Sequence, residues 1–355
     1  MPAAIGLDIG SSTVRAVQIS PSGRGHATLE RVAQAPLAPG AVHDGEVVDP
    51  ELVAMALREL WAAGGFKGRR VALGVSNQQV VVRQVDLPYL PDRELRQSLQ
   101  FQVDEAIPIP VEQAILDYHP LETLTAEDGR QISRILLVAA QREMVQRLVE
   151  AVSRARLEPV LVDLDAFAML RSLAPESSRG LLDEPDGELL IDLGSVVTNL
   201  VVHSQGQPRF VRILLMGGDA ITDELEHTLG VDRDEAERLK AETGLLEPME
   251  LLEAHQAARI ISERAGRFLD EVRGSVDYYA AQPDAVPVRR AVLTGGASRL
   301  RGLAERLEDA LGMPVERGHP MQELRIGTVG LSHAELVDLQ PDLAVAIGLA
   351  LGAAE

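Results

Sequence analysis

Short apolar runs alternate along the chain with longer stretches in which apolar residues recur every three or four positions. Residues 49–65 show the second pattern: Asp49 and Pro50 come first, apolar residues follow at helical spacing, and Gly64 and Gly65 come last. This order predicts a helix with both of its ends marked. Strands are predicted for the apolar runs at 71–75, 79–87, 135–140 and 289–294. The alternation predicts an α/β protein in which helices cover the sheets.

One short cassette occurs twice. In the first copy an apolar run delivers Asp8 to a turn at Gly10, and a β-branched run leads away from it. In the second copy Asp192 and Gly194 hold the same places. Each copy predicts a hairpin with a carboxylate and a Gly-Ser corner at its tip. The duplication indicates two similar lobes that face one ligand of phosphate size.

These residue types suit phosphate chemistry. Gly10 and Gly194 let the backbone turn tightly and approach an anion, and the Ser and Thr residues beside them supply N–H and hydroxyl donors. Asp8 and Asp192 are suited to hold a magnesium ion, mostly through water, because Mg²⁺ keeps most of its hydration shell.

A third glycine corner follows a strand. Gly295 and Gly296 come directly after the run at 289–294 and are predicted to open a helix. Exposed N–H groups and the helix dipole favour a phosphate at such a place. Each corner alone is also typical of an ordinary turn. Three of them in the order hairpin, hairpin, strand-Gly-Gly-helix favour a phosphate site.

Composition narrows the classes of function. The formal net charge of −20 and the pI of about 4.8 disfavour nucleic acid or a bare anionic membrane as a partner, because both attract cationic proteins. The absence of cysteine excludes disulfides, a thiol nucleophile and thiolate metal sites, and it suits a reducing cytosol. No signal-peptide pattern begins the chain, and no stretch approaches the roughly 18 to 20 apolar residues of a membrane span. We therefore expect a cytoplasmic protein.

The length predicts more than one domain. A chain of 355 residues is too long for a single ordinary core. We place lobe 1 at 1–180 and lobe 2 at 181–355, with the polar, Gly- and Pro-containing segment 175–187 as the linker.

Each lobe is expected to carry an additional part. Pro-rich edges mark off a module at about 71–155 within lobe 1, which leaves a core of 1–70 and 156–180. A strongly charged helical stretch at about 220–282 is expected to form a subdomain of lobe 2.

Three segments, taken in order, resemble the phosphate-1, phosphate-2 and adenosine motifs of the actin-like ATPase superfamily: 7–15, 191–195 and 293–298. The resemblance implies an actin-like ATPase fold, in which two ribonuclease-H-like lobes clamp Mg-ATP in a nucleotide cleft. It also implies that Arg15 stands where many relatives have a phosphate-binding Lys. Arg keeps the charge but differs in shape.

The segment 236–240 resembles the superfamily helix whose Glu and Lys hold the ribose and the base. The alternative for this segment is a solvated charged face. The nucleotide-binding residues that the superfamily resemblance implies are Gly10, Ser11, Ser12, Thr13, Arg15, Gly194, Ser195, Glu237, Lys240, Gly295, Gly296 and Ser298.

A narrower resemblance distinguishes among superfamily members. The segments 82–88, 94–105, 107–118, 159–168 and 343–350 are similar to the PilM family of cytoplasmic actin-like components of the type IV pilus assembly machinery. The similarity runs through nearly the whole chain. It implies an ATP-binding adaptor in a machine that serves twitching motility, rather than a fast enzyme.

The PilM resemblance also implies a partner. Family members bind the short cytoplasmic N-terminal tail of the inner-membrane protein PilN in a groove between lobe 1 and its inserted module. They are thereby linked to other inner-membrane components of the pilus and to its motor. Residues 351–355 end the chain without the basic amphipathic helix usual in FtsA-like proteins, so we expect membrane association to be indirect.

Hydrolysis requires a group that activates or positions water near the γ-phosphate. Asp165 lies in the connecting segment where superfamily members often carry an acidic or amide residue, so it is the candidate catalytic residue. The alternative is a helix N-cap, because the apolar run 166–170 follows it. We expect slow or conditional ATPase activity.

Two other functions stay open at this point. A sugar or acetate kinase of the same superfamily would need a general base for an acceptor hydroxyl and a substrate cleft between the lobes, and the sequence identifies no acceptor site. A filament-forming protein like FtsA shares the superfamily motifs but usually has a membrane-binding helix at its end.

Overall fold

The computed structural model describes residues 3–22, 26–126, 128–174, 186–245 and 252–354. Its strands are β1 (Ala4–Ile9), β2 (Thr13–Ser22), β3 (His26–Pro36), β4 (Val42–His43), β5 (Glu46–Val47), β6 (Arg70–Val75), β7 (Val80–Pro88), β8 (Ala114–Thr125), β9 (Gln131–Gln141), β10 (Glu158–Leu164), β11 (Gly187–Leu193), β12 (Thr198–Ser204), β13 (Gln207–Leu214), β14 (Val288–Thr294), β15 (Val315–Arg317) and β16 (Leu324–Ile326). Its helices are α1 (Pro50–Gly64), α2 (Asp92–Gln102), α3 (Arg142–Arg154), α4 (Asp165–Leu173), α5 (Asp219–Leu229), α6 (Arg233–Thr243), α7 (Leu252–Ala280), α8 (Leu303–Leu311), α9 (His333–Leu339) and α10 (Ala344–Gly352). Most of the predicted linker at 175–187 lies outside the described residues. None of the described helices has the length and the apolar character that crossing a membrane would require.

The first lobe is built on a six-stranded sheet in the order β10-β6-β1-β2-β3-β16. Its central strand β1 runs antiparallel to β2 and parallel to β6. Residues 4–7 of β1 are all buried, so both faces of the sheet are covered. Ile5 and Leu7 pack with residues of α1, whereas Ala4 packs with residues of α10.

Two glycines allow α10 to approach the first lobe closely. A Cβ atom on Gly6 of β1 would lie 2.0 Å from the carbonyl oxygen of Ala346. A Cβ atom on Gly348 would lie 1.7 Å from the carbonyl oxygen of Ala168 in α4. Because any side chain would separate these backbones, the sequence of α10 is matched to β1 on one side and to α4 on the other.

The helix predicted at 49–65 is confirmed as α1. The Asp49 side chain accepts hydrogen bonds from the backbone N–H groups of Glu51 and Leu52, and Gly65 ends the helix with φ of 61°. These local interactions explain why the sequence marks both ends of the helix.

The second lobe contains a five-stranded sheet in the order β13-β12-β11-β14-β15. Leu189, Ile191 and Leu193 of β11 pack with Phe268 and Val272 of α7. In the described part of the stretch 220–282, the charged sequence forms α5, α6 and α7.

The inserted module is a three-stranded sheet in the order β7-β9-β8, covered by α2. Leu95 and Leu99 are the buried residues of α2. The Tyr118 hydroxyl on β8 donates to Asp92 Oδ1 at 2.5 Å, and Arg96 lies over the Tyr118 ring at 4.9 Å. These contacts hold the helix on its sheet.

Strand pairing changes three of the predicted boundaries. β6 was expected to open the inserted module, but it is hydrogen-bonded between β1 and β10 in the main sheet. α3 was expected to close the module, but its buried residues join the core that contains α1. β16 and α10 fall in the range assigned to lobe 2, yet β16 pairs with β3 and α10 packs on lobe 1. The predicted bounds followed chain order, whereas these pairings join segments far apart in sequence.

Candidate functional site

The two copies of the cassette fold into equivalent hairpins. Asp8 is paired with Arg15 across β1 and β2, and Asp192 is paired with Asn199 across β11 and β12. At the first tip the Gly10 N–H donates to the Thr13 carbonyl at 3.0 Å, and the second tip has the same bond, also 3.0 Å, from Gly194 to Val197. The duplicated sequence therefore encodes a duplicated local geometry.

The two tips face each other across a cavity of about 510 Å³. Of the fifteen residues that the sequence predicted for the site, fourteen line this cavity: Asp8, Gly10, Ser11, Ser12, Thr13, Arg15, Asp165, Asp192, Gly194, Ser195, Glu237, Lys240, Gly295 and Gly296. Ser298 is not among the lining residues. It is buried, and its N–H donates to the Gly295 carbonyl at 3.1 Å, so it closes the turn behind the cavity wall.

The third corner also lies at the cavity. Gly295 has φ of 89°, and a Cβ atom on it would lie 2.4 Å from the carbonyl oxygen of Leu193. The sequence predicted a helix start here, but the structure has a short 3-10 turn, Gly296–Arg299, and α8 begins only at Leu303. The adenosine-motif corner therefore offers a tight turn and only a weak helix dipole.

Three carboxyl groups at the cavity have raised pKa values. Burial and the nearby Asp8 raise the pKa of Asp192 to about 7. Burial, with Asp8 and Asp192 close by, raises the pKa of Asp165 well above its ordinary range. Burial also raises the pKa of Asp8, although Arg15 partly offsets the effect. A cation bound in the cavity would relieve this repulsion.

Asp165 is the first residue of α4 and not its N-cap, which is Leu164. Its Oδ1 atom is buried and has no hydrogen-bond partner in the structure. A Cβ atom on Gly74 would lie 1.8 Å from that oxygen, so the carboxylate occupies space that only a glycine leaves open. The N-cap interpretation is therefore wrong, and the carboxylate instead lines the cavity.

Arg15 bridges two carboxylates. Its Nη1 atom lies 3.6 Å from Asp8 Oδ2, and its Nη2 atom lies 3.4 Å from Asp342 Oδ1. Asp342 also pairs with Arg299, with 2.6 Å between Nη2 and Oδ2. Asp342 was missed in the sequence, where the only signal is an acidic residue just before the apolar run of α10.

Lys240 is already held by the protein. Its ammonium group donates to Glu237 Oε1 and Thr222 Oγ1, both at 2.7 Å, and to the Gly218 carbonyl at 3.3 Å. With three acceptors for three protons, Lys240 fixes Glu237 at the cavity wall. Gly218, which begins the turn into α5, was not assigned to the site from the sequence.

A buried polar contact joins the two lobes at the cavity wall. The Ser76 hydroxyl, at the end of β6, donates to Asn199 Oδ1 at 2.6 Å. The Asn199 amide in turn donates to Asp192 Oδ2 at 3.4 Å. Neither Ser76 nor Asn199 stood out in the sequence, because their contact spans 123 residues of chain.

The described carboxyl groups at the cavity do not form a cluster that would ligate a metal directly. Among the residues that the structure describes, no three His, Cys, Asp or Glu side chains lie close enough together to hold a metal directly. One carboxyl oxygen of Asp165 is buried without a hydrogen-bond partner, and the pKa of Asp192 is raised to about 7. A cation held through water would relieve the repulsion between these groups.

Comparison with known proteins extends these observations. The family described as "Type IV pilus assembly protein PilM" matches residues 6–354. A solved structure, a PilM-PilN type IV pilus biogenesis complex, superposes with a TM-score of 0.86 and 29% sequence identity, covering 99% of this chain and 98% of that one.

Two further proteins are similar to this chain. The cell division protein FtsA of Neisseria meningitidis serogroup B is 26% identical over 247 residues, which are 61% of this chain and 58% of that protein. This chain thus spans little more than half the length of that relative. The structure of MreB5 of Spiroplasma citri bound to ADP has a TM-score of 0.56 and 13% identity, covering 99% of this chain and 96% of that one. At that identity the likeness shows the actin-like fold alone.

Proposed function

The chain belongs to the type IV pilus assembly protein PilM family, and from that premise we propose that it is an ATP-binding adaptor that holds the cytoplasmic tail of PilN. The observation that carries this proposal is the near full-length structural likeness to a PilM-PilN complex. In this function the protein joins the inner-membrane part of the pilus machinery to its motor. It lies at the cytoplasmic face of the membrane through its partner.

The cavity between the hairpins is the proposed Mg-ATP site. Backbone N–H groups and hydroxyls of Ser11, Ser12 and Thr13 would hold the β- and γ-phosphates from one side, and Ser195 would approach them from the other. The Gly295 turn would lie beside the adenosine. Mg²⁺, when bound, supplies charge neutralisation between the phosphates and the carboxylates.

Arg15 has to exchange partners in this proposal. In the structure it is shared between Asp8 and Asp342 at 3.6 and 3.4 Å, distances that are long for charge-assisted hydrogen bonds. A phosphate oxygen would compete well for its guanidinium group. Glu237, fixed by Lys240, would accept from the ribose hydroxyls.

Asp165 is proposed to position the attacking water. Its raised pKa favours a neutral carboxyl in the ligand-free protein, and bound Mg²⁺ would return the group to its charged form. Because the base is available only when cation and nucleotide are both in place, we expect slow and conditional ATP hydrolysis.

The proposal is tested by a pulldown with a synthetic peptide of the N-terminal cytoplasmic tail of the PilN encoded in the same genome, with and without Mg-ATP. We expect specific retention of the protein, which a peptide of scrambled sequence does not reproduce. Lack of retention under both conditions would rule out the adaptor function.

The kinase alternative is not favoured by the family match. It makes a different prediction, namely phosphate transfer that depends on a sugar or a carboxylic acid as acceptor. FtsA-like filament formation is likewise less well supported, because the likeness to the PilM-PilN complex covers 99% of this chain and 98% of that one, whereas the match to FtsA covers 61% and 58%.

A further inference from the structure

The protein is strongly acidic, with a formal net charge of −20, yet exposed cations lie together at one end of lobe 1. We call them the basic face, and they are Arg58, Lys67, Arg69, Arg70, Arg154 and Arg156. Direct contacts join the segments that carry them. The Arg58 guanidinium donates to the Arg154 carbonyl at 3.2 Å, and the Arg69 guanidinium donates to the Arg156 carbonyl at 3.0 Å. The basic face is therefore one continuous surface.

Only part of this positive charge is paired within the protein. The pairs are Glu51 with Arg58 and Arg154 at 2.7 and 3.4 Å, Glu150 with Arg154 at 2.6 Å, and Glu158 with Arg70 at 3.9 Å. Among the residues that the structure describes, no acidic side chain forms an ion pair with the other cations, which are Lys67, Arg69 and Arg156. Their charges are available to an anion outside the protein.

Arg156 presents its charge from a strained backbone position. Where α3 ends, the Arg156 N–H donates to the Ser153 carbonyl at 2.9 Å, and the Leu157 N–H donates to the Val152 carbonyl at 3.2 Å. A helix end of this type needs a left-handed residue, usually glycine, and Arg156 has φ of 59°. Because glycine would adopt this conformation without strain, folding alone does not account for the arginine. Its side chain therefore calls for a role outside the fold.

The basic face lies at the end of lobe 1 that is away from the inserted module. β6 begins at Arg70 and leads into the module, whereas α3 leaves the module and ends at Arg154. α3 has 13 residues. A helix of that length spans about 20 Å, which separates the basic face from the root of the module. A partner tail held between lobe 1 and the module would leave the basic face uncovered.

The surroundings of the cations suit a membrane surface. Apolar side chains lie among them: Met55, one turn before Arg58 on α1, is 48% exposed, and Val160 on β10 is 40% exposed. None of the six cations lines the cavity between the hairpins. Arg and Lys can lay their apolar stems along a lipid interface while their charged ends reach the phosphates. Cations spread over several elements fit a plane of headgroups better than a single small anion.

We propose that the basic face binds the phosphate headgroups of an anionic membrane. The inference goes beyond the proposed function, because it assigns this chain a direct contact with lipid in addition to its contact with the partner tail. The net charge of −20 permits such a contact. At an ionic strength of about 0.1 M, charges more than about 10 Å away are largely screened. The tail would concentrate the protein at the membrane, and the basic face would determine which side of lobe 1 meets the lipid.

The test is flotation of the full chain, without partner, with unilamellar vesicles. One set of vesicles contains equal parts of phosphatidylglycerol and phosphatidylethanolamine, and the neutral set contains phosphatidylcholine. Each basic residue near an anionic surface strengthens binding by about fivefold, so we expect a partition coefficient at least about tenfold higher for the anionic set. At an ionic strength of about 1 M, where the screening length is about 3 Å, this preference should disappear.

A double variant tests the basic face itself. Lys67→Gln combined with Arg156→Gly removes two unpaired cations, and glycine suits the left-handed position, so the fold should be retained. We expect partition onto anionic vesicles to fall by about tenfold or more. Thermal unfolding checks that the variant folds.

The matched control is Arg259→Gln combined with Arg273→Gln, on α7 in lobe 2. These side chains are 74% and 57% exposed, and their replacement changes the net charge of the protein by the same amount. Partition of the control onto anionic vesicles should stay nearly unchanged, because its cations lie outside the basic face.

Two results would overturn the inference: equal partition of the unaltered protein onto anionic and neutral vesicles, or the same loss in both double variants. If the basic face serves an acidic protein instead, the first of these results will be found. The vesicles carry no PilN tail, so this test and the peptide pulldown can fail independently of each other.

Discussion

Asp8, Asp165 and Asp192 lie half-buried around one cavity, and desolvation there raises the pKa of each. Arg15 is the cation beside Asp8, and it is shared with Asp342. A site of this kind weakens the ligand-free fold at neutral pH, because ionising the carboxylates costs more in the folded than in the unfolded chain. These carboxyl groups would cost less stability if a bound cation offset their charge.

Asp192→Asn tests the cost in stability of ionising a carboxyl group in the folded protein. The pKa of Asp192 is about 7 in the folded state against an ordinary 3.8, so between these values the unfolded chain loses its proton first and stability falls as pH rises. Because Asn carries no proton that titrates in this range, the substitution removes this pH-dependent loss of stability. We expect the thermal midpoint without nucleotide to rise by on the order of 3 °C at pH 8 and to stay unchanged at pH 4. Differential scanning calorimetry across this range measures both values.

Asp86→Asn should change the pH dependence of stability in the opposite direction. Its hydrogen bonds with Arg134 lower the pKa of Asp86, so its charge favours the folded state. We expect no rise in the midpoint at pH 8 for this variant. An equal rise at pH 4 and pH 8 for Asp192→Asn would contradict the assignment.

At the scale of elements, close backbone approach fixes how the last helix packs. α10 lies on β1 at Gly6 and on α4 at Gly348. α4 in turn begins at Asp165, so the packing of two helices places the candidate catalytic carboxylate. The position of the cavity wall thus depends on a contact with a helix about 180 residues further along the chain, from Ala168 to Gly348.

Gly348→Ala should separate α10 from α4. The new methyl group would meet the carbonyl of Ala168 at 1.7 Å, and a backbone atom cannot move aside as a flexible side chain does. We expect a loss of about 1–3 kcal/mol in the free energy of unfolding, measured by urea denaturation. Gly274→Ala in α7 is the matched control, because the space around it is open. It should raise stability by up to about 1 kcal/mol, and a similar loss in both variants would refute the packing argument.

At the scale of the whole molecule, two lobes present equivalent hairpins to one cavity. The first tip contributes Asp8 and the second contributes Asp192, and the Ser76–Asn199 hydrogen bond joins the lobes beside them. A ligand that touches both tips would stabilise the lobes together. A ligand that touches one tip would not.

Hydrogen exchange distinguishes these cases. On addition of Mg-ATP we expect slower amide exchange at both tips, residues 9–13 and 193–198, because opening of either lobe would require release of the nucleotide. Mg²⁺ without nucleotide is the control and should produce a much smaller change. Protection confined to one tip would show that the ligand does not bridge the lobes.

Much of the site was predictable because its parts are local. The hairpin tips, the capped helix α1 and the glycine corner at Gly295 depend on contacts among residues near in sequence or on glycine itself. The repeated cassette then predicted that two such tips meet. The short 3-10 turn at Gly296–Arg299 was missed because a glycine pair opens a helix and a tight turn equally well.

The sequence by itself determined the α/β class, the two phosphate-type hairpins and the family to which the chain belongs. Only the tertiary structure decided that Asp342 shares Arg15, that Asn199 meets Ser76, and that α10 returns to the first lobe. The physical reason is the range of the interactions. Turns and caps follow from the conformational preferences of a few adjacent residues, whereas the partners of a buried charge depend on how the whole chain packs.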